Sequence, residues 1–180
     1  HISRADVCLM TKVDQALEGS RELIRETVRK YNSAAQIVES IHKPRCLIPL
    51  AEWSTNLAGE GVSVDTISGR RVMAVSAIGN PASFDRTLRD LGAEIISSLR
   101  YPDHHDYTIM EMEDILRQAD SFAAEMIIVT EKDAVKIPEE VAKANWSIPV
   151  FVICVEVKFQ IGGDEFITEL KNRLQSWKAK

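Results

Sequence analysis

Four apolar residues in a row, Met126-Ile127-Ile128-Val129, closed by Thr130, constrain this chain more than any other stretch. A strand with one wet face alternates apolar and polar residues. A strand with no polar position needs cover on both faces, which a parallel sheet between helices supplies. Ala5–Thr11 is a short apolar run that likewise suits a strand buried on both faces, Arg71–Ser76 reads as a clear strand, and Ala35–Ile41, Glu94–Leu99 and Pro149–Val157 read as further strands. Cys46–Leu50 is a brief apolar piece.

Helical spacing fills the gaps. Ser20 is a candidate N-cap for a helix over about Arg21–Tyr31, with Leu23, Ile24, Thr27 and Val28 as its apolar stripe. Pro81 suits the first turn of a helix that Gly92 stops. Thr108 with Glu111 three residues on forms a capping box for a helix to about Phe122, with Met112, Ile115, Leu116 and Ala119 as its apolar face. A short helix is expected over Pro138–Asn145 and an amphipathic one over Asp164–Trp177. Glu52–Gly61 reads as a loop with Trp53 as a packing anchor. Val62–Ile67, turning at Ser68-Gly69, reads as a hairpin into Arg71–Ser76. The alternation predicts an α/β fold, a largely parallel sheet flanked by helices. No repeat, low-complexity tract or linker divides the 180 residues, so they read as one unit.

The net charge of −5 argues against broad nucleic-acid binding. Cys8, Cys46 and Cys154 have neither metal-ligand spacing nor a disulfide framework; Cys8 and Cys154 lie in apolar runs and read as buried, reduced thiols. No run approaches the roughly 18 apolar residues of a membrane span, which leaves peripheral membrane contact open. The chain begins at His1, and Ala5–Thr11 reads as an interior strand with no leader before it. A native N-terminal portion is therefore expected to be absent.

The chemistry concentrates in Tyr101-Pro102-Asp103-His104-His105-Asp106-Tyr107, with two histidines, two carboxylates and two phenols in seven residues. A carboxylate beside an imidazole can fix its tautomer and make it a base, so Asp103 and His104 are the leading pair. Two adjacent histidines alone leave a metal underligated, and Tyr101 and Tyr107 read as packing residues. In open α/β sheets ligands bind at the carboxyl ends of strands. Three other polar clusters fall at such ends: Thr11-Lys12-Val13-Asp14, Ser76–Asn80 and Thr130-Glu131-Lys132-Asp133. Thr130 and Lys132 could contact a phosphate or substrate. Lys12 and Asp14 sit in a run like the base-reading [NT]-K-x-D element of GTPases. The plain alternative is that loops are wet, with Glu131, Lys132 and Asp133 forming a surface charge cluster. There is no G-x-x-x-x-G-K-[ST] phosphate cradle in the chain.

Three runs occur in order: Ser76-Ala77-Ile78-Gly79-Asn80-Pro81-Ala82-Ser83-Phe84, Pro102–Thr108, and Thr130-Glu131-Lys132-Asp133-Ala134-Val135-Lys136. Together they resemble the C-terminal portion of the tetraacyldisaccharide 4'-kinases of lipid A biosynthesis, and the stretch from Arg4 to Asp14 resembles that family's mid-chain strand. The resemblance spans nearly the whole chain, and the T-E-K-D-A-V-K run is its most specific part. It implies a P-loop-NTPase-like fold, incomplete here because its N-terminal half is missing. It implies ATP and Mg2+, both bound mainly by that missing half. It further implies transfer of the γ-phosphate to the 4'-hydroxyl of a lipid-linked glucosamine disaccharide 1-phosphate, at the cytoplasmic face of the bacterial inner membrane. His104 matches the histidine of the family's Asp–His dyad, and Asp103 would orient it. Two positions depart from the pattern: Ala77 replaces a glycine, and Asp85 replaces a second aromatic after Phe84. On this resemblance the chain alone is expected to be inactive. The alternative from another class is a non-catalytic α/β interaction module without its nucleotide-binding half.

Overall fold

The computed structural model describes residues 2–55, 61–144 and 146–178. In chain order its elements are β1 (Val7–Met10), α1 (Ser20–Tyr31), β2 (Gln36–Pro49), α2 (Leu50–Trp53), β3 (Arg71–Ser76), α3 (Pro81–Asp90), β4 (Glu94–Arg100), α4 (Ile109–Ser121), β5 (Met126–Thr130), α5 (Glu131–Ala134), α6 (Glu139–Ala142), β6 (Val150–Ile161) and α7 (Gly163–Lys178). The chain divides into two compact units, a smaller one of His1–Lys43 with Glu156–Lys180 and a larger one of Pro44–Val155. The long strands β2 and β6 each contribute to both.

In the larger unit the strand order is β2-β6-β5-β3-β4. β3 is flanked by β4 and β5, and β5 by β6, all in parallel. Burial explains why β3 and β5 read as near-continuous apolar runs. Met73, Val75, Ile127 and Val129 enter one core with Met112 and Ile115 of α4, while Val72, Ala74 and Ile128 enter the other with Phe84 and Leu88 of α3. Successive residues of the central runs Val72–Val75 and Ile127–Val129 thus meet a helix on either face, which leaves these positions no room for a polar side chain. Trp53 is buried in the first core, as its packing role required. The four parallel strands bring the carboxyl ends of β3, β4 and β5 to one edge.

In the smaller unit β1 pairs in parallel with β2, Val7 opposite Gln36 and Met10 opposite Glu39. Gln36 Nε2 donates to the Gly162 carbonyl at 3.2 Å, so the end of β6 lies against the start of β2 and these neighbours run antiparallel. The sheet is therefore mixed but mostly parallel. Gly162 turns the chain at a φ of +68°, with the Ile37 carbonyl 3.0 Å from where a Cβ would sit.

Several local expectations change. The strand expected to end before Lys43-Pro44 continues to Pro49 and absorbs Cys46–Leu50 apart from its last residue. Among the described residues no hairpin precedes β3. Ser63 accepts from the Asp65 amide and closes a single 3-10 turn over Val64–Ile67, a side chain–backbone bond that competes with a ladder. Gly19, not Ser20, precedes the first residue of α1. The stripe of α1 is also different: Leu23 and Ile24 are exposed, and Val28 alone of the four expected residues is buried. α1 instead presents Arg21 and Arg25 to the fully buried Glu39 of β2, with Arg21 Nη2 at 2.5 Å. A buried carboxylate selects the face that carries its counter-charges. Cys46 and Cys154 are buried and Cys8 is half-buried, all as free thiols. Of the loop read over Glu52–Gly61, Glu52 and Trp53 belong to α2; residues 56–60, and Asn145 of the expected short helix, lie outside the described residues.

Candidate active site

The loop after β3 is fixed at both ends. Tyr101 N–H donates to the Ser76 carbonyl at 2.9 Å. Asn80 then caps α3, its side chain accepting from Ser83 N–H at 3.1 Å, with Pro81 at the start of the helix. Outside glycine, positive φ among the described residues is confined to Lys12, His104 and Ala123, so Ala77 sits in backbone that accepts a Cβ. Asp85 also has a structural reason: it is buried, and accepts from Ser98 Oγ at 3.0 Å and Arg100 Nη2 at 2.7 Å.

The segment after β4 separates its two histidines. His105 N–H closes a turn onto the Pro102 carbonyl at 3.1 Å. The His105 ring packs between Tyr101 and Tyr107, and its Nε2 stands 3.1 Å from Glu111 Oε1. Glu111 accepts from the Thr108 amide and hydroxyl while Thr108 accepts from Glu111 N–H, the expected capping box. Those bonds, with a smaller share from His105, hold the Glu111 carboxyl below the usual range. His104 is the opposite case. Its side chain is 84% exposed, and its Nε2 lies 3.8 Å from Asp103 Oδ2. Its backbone is left-handed at φ 65°, and its N–H is taken by Asp103 Oδ1 at 3.1 Å. The imidazole is thus presented to solvent beside a half-exposed carboxylate. A Cβ on Gly79 would stand 3.4 Å from Asp103 Oδ2, so the loop after β3 lies against this turn.

The segment after β5 supplies what sequence reading missed. Asp133 is fully buried rather than part of a surface charge cluster. Its Oδ1 accepts from Ala77 N–H at 2.8 Å and from the Tyr107 hydroxyl at 3.2 Å, and its Oδ2 accepts from Thr130 Oγ1 at 2.5 Å. Thr130 Oγ1 accepts in turn from Asp133 N–H at 3.3 Å and caps α5. The Thr130 proton is therefore directed inward, whereas Lys132 is exposed. Glu131 accepts from Val155 N–H at 3.2 Å. The T-x-x-D spacing directly after a buried strand was the available signal, because it is a capping pattern that turns the carboxylate back toward the strand end.

Asp103 and His104, after β4, and Thr130 and Lys132, at the end of β5, thus belong to strand ends on either side of β3 in the larger unit. Lys12 and Asp14 belong to the smaller unit, in the turn after β1. Lys12 is left-handed at φ 54°, and its carbonyl accepts from Gln15 N–H at 3.0 Å.

The model of the tetraacyldisaccharide-1-P 4'-kinase family matches residues 1–175. The chain belongs to that family. A tetraacyldisaccharide 4'-kinase of Anaeromyxobacter sp. strain K is 36% identical over 143 residues, 79% of this chain and 36% of the relative. Its counterpart in Anaeromyxobacter dehalogenans strain 2CP-1 is 35% identical over 163 residues, 91% of this chain and 41% of the relative. The LpxK of Aquifex aeolicus, solved in complex with ATP, superimposes with a TM-score of 0.49 at 20% identity, covering 94% of this chain and 52% of that one. The chain therefore spans about two fifths of the length of these curated family members. Among the described residues no three His, Cys, Asp or Glu side chains converge to hold a metal.

Proposed function

We propose that this chain carries the acceptor-activating side of a kinase that transfers the ATP γ-phosphate to the 4'-hydroxyl of a tetraacyldisaccharide 1-phosphate. The observation that carries the reading is the His104 imidazole, held out to solvent beside Asp103 at the carboxyl edge of parallel strands, in a member of this family. Phosphoryl transfer needs positioning and charge stabilisation more than covalent help. His104 takes the proton of the acceptor hydroxyl as its oxygen bonds to phosphorus and the bond to the ADP oxygen breaks. The Asp103 carboxylate, 3.8 Å from Nε2, stabilises the imidazolium that results. Lys132 offers a cation to phosphate oxygens, and Lys12 with Asp14 serves the nucleotide. Thr130 contributes to a phosphate or substrate contact through its placement of α5, since its own proton goes to Asp133. The chain has no P-loop sequence, so this reading assigns the ATP phosphates and Mg2+ to sequence outside these 180 residues. It also sets the enzyme on the cytoplasmic face of the inner membrane, where a lipid-linked acceptor would be met.

The test is kinetic. The 180-residue chain alone should show no kinase activity. In the full-length polypeptide that includes it, His104→Ala should lower kcat by about 10²–10⁴, the contribution of a positioned base. A full-length enzyme indifferent to that change removes the role given to His104.

A further inference from the structure

We propose that Asp133 is a positioning residue for His104, an inference that rests on the kinase reading above. Asp133 joins the segments that follow three neighbouring parallel strands: Ala77 after β3, Tyr107 after β4 and Thr130 at the end of β5. The partners that hold it are an amide, a phenol and an aliphatic hydroxyl, each a neutral donor. The two carboxylate oxygens of Asp133 take all three. Burial, then the Asp133 charge, push the Tyr107 phenol well above its usual range, so it keeps the proton that it donates.

The clamp reaches the reactive turn by two routes. Tyr107 meets the rings of Tyr101 and His105 edge-on, each at 5.3 Å, and those residues flank Pro102–His104. Ala77 opens the loop whose Gly79 lies against Asp103. With Asp133 in place, the turn is held on one side by the aromatic cluster and on the other by the loop after β3. The left-handed backbone of His104 then projects its imidazole outward. Without the clamp, the three segments lose their common anchor, and the base drifts from the acceptor hydroxyl.

A positioning role differs from a merely structural one in depending on His104. In the full-length polypeptide, Asp133→Asn places an amide donor against a donor while keeping the shape. It should lower kcat about 10- to 100-fold, the cost of a displacement of order 1 Å, and leave the KM for ATP within about twofold. Introduced into His104→Ala, the same change should lower the residual kcat less than about twofold, because the group it positions is gone. Equal losses in the two backgrounds, or no loss in either, overturn the proposal. If Asp133→Asn does not fold, Tyr107→Phe, which removes one hydrogen bond and keeps the ring, is read by the same criteria. A kcat unchanged by His104→Ala is a separate failure: it overturns the base assignment and takes the positioning role with it.

Discussion

The His105 ring stacks on Tyr101 with centroids 4.8 Å apart and planes 18° from parallel. Tyr107 completes the cluster edge-on. Aromatic pairs of this kind add about 0.5–1.5 kcal/mol each beyond area burial. His105→Ala deletes two of the three ring contacts and should destabilise the protein by about 1–3 kcal/mol. His104→Ala removes an exposed side chain and should change stability by less than about 0.5 kcal/mol. Urea unfolding of the two variants separates them by midpoint at constant m-value. Equal losses would mean that the two histidines are not divided into one that packs and one that is presented.

His104 occupies left-handed backbone at φ 65°. An L-residue there carries a penalty of about 1–2 kcal/mol, offset in glycine by about 0.5–1 kcal/mol of extra chain entropy. His104→Gly should therefore stabilise the fold by about 0.5–1 kcal/mol while removing the base. Backbone strain under an exposed functional group is a trade of stability for presentation. A His104→Gly variant less stable than the parent would show that the imidazole makes contacts this geometry does not contain.

What could be read from the sequence was set by pattern length. The run Met126–Thr130 admitted one interpretation because a strand covered on both faces leaves no polar position, and β5 spans those residues. Thr108 and Glu111 identified their helix start because a capping box is local. The α1 stripe misled because Leu23 and Ile24 satisfy helical spacing while the deciding partner, Glu39, is 14 residues beyond Arg25. The site divided in the same way. Asp103 beside His104 is visible as a dipeptide. Asp133 looked like one charge of a surface triplet, because its partners Ala77 and Tyr107 lie 56 and 26 residues away and only the parallel sheet brings them together.

Glu39 gives the smaller unit an acid limit. Burial alone would push its carboxyl up, but hydrogen bonds and charge from Arg21 and Arg25 more than offset that and leave it below its ordinary value of 4.5. A carboxyl with a lowered folded pKa contributes stability that is fully present above its unfolded value. That contribution is lost as pH falls through the folded one. Glu39→Gln keeps the shape, removes the charge and leaves two guanidinium groups facing an amide. The variant should be less stable than the parent by about 1–3 kcal/mol near neutral pH, given that both arginines are partly exposed. The difference should shrink as pH falls from about 4.5, because the parent's carboxylate becomes a neutral acid while the amide does not titrate. Urea midpoints of parent and variant compared near pH 7 and at about pH 3 measure it. A gap that stays constant over that range would show that Glu39 acts through its shape and hydrogen bonds rather than its charge.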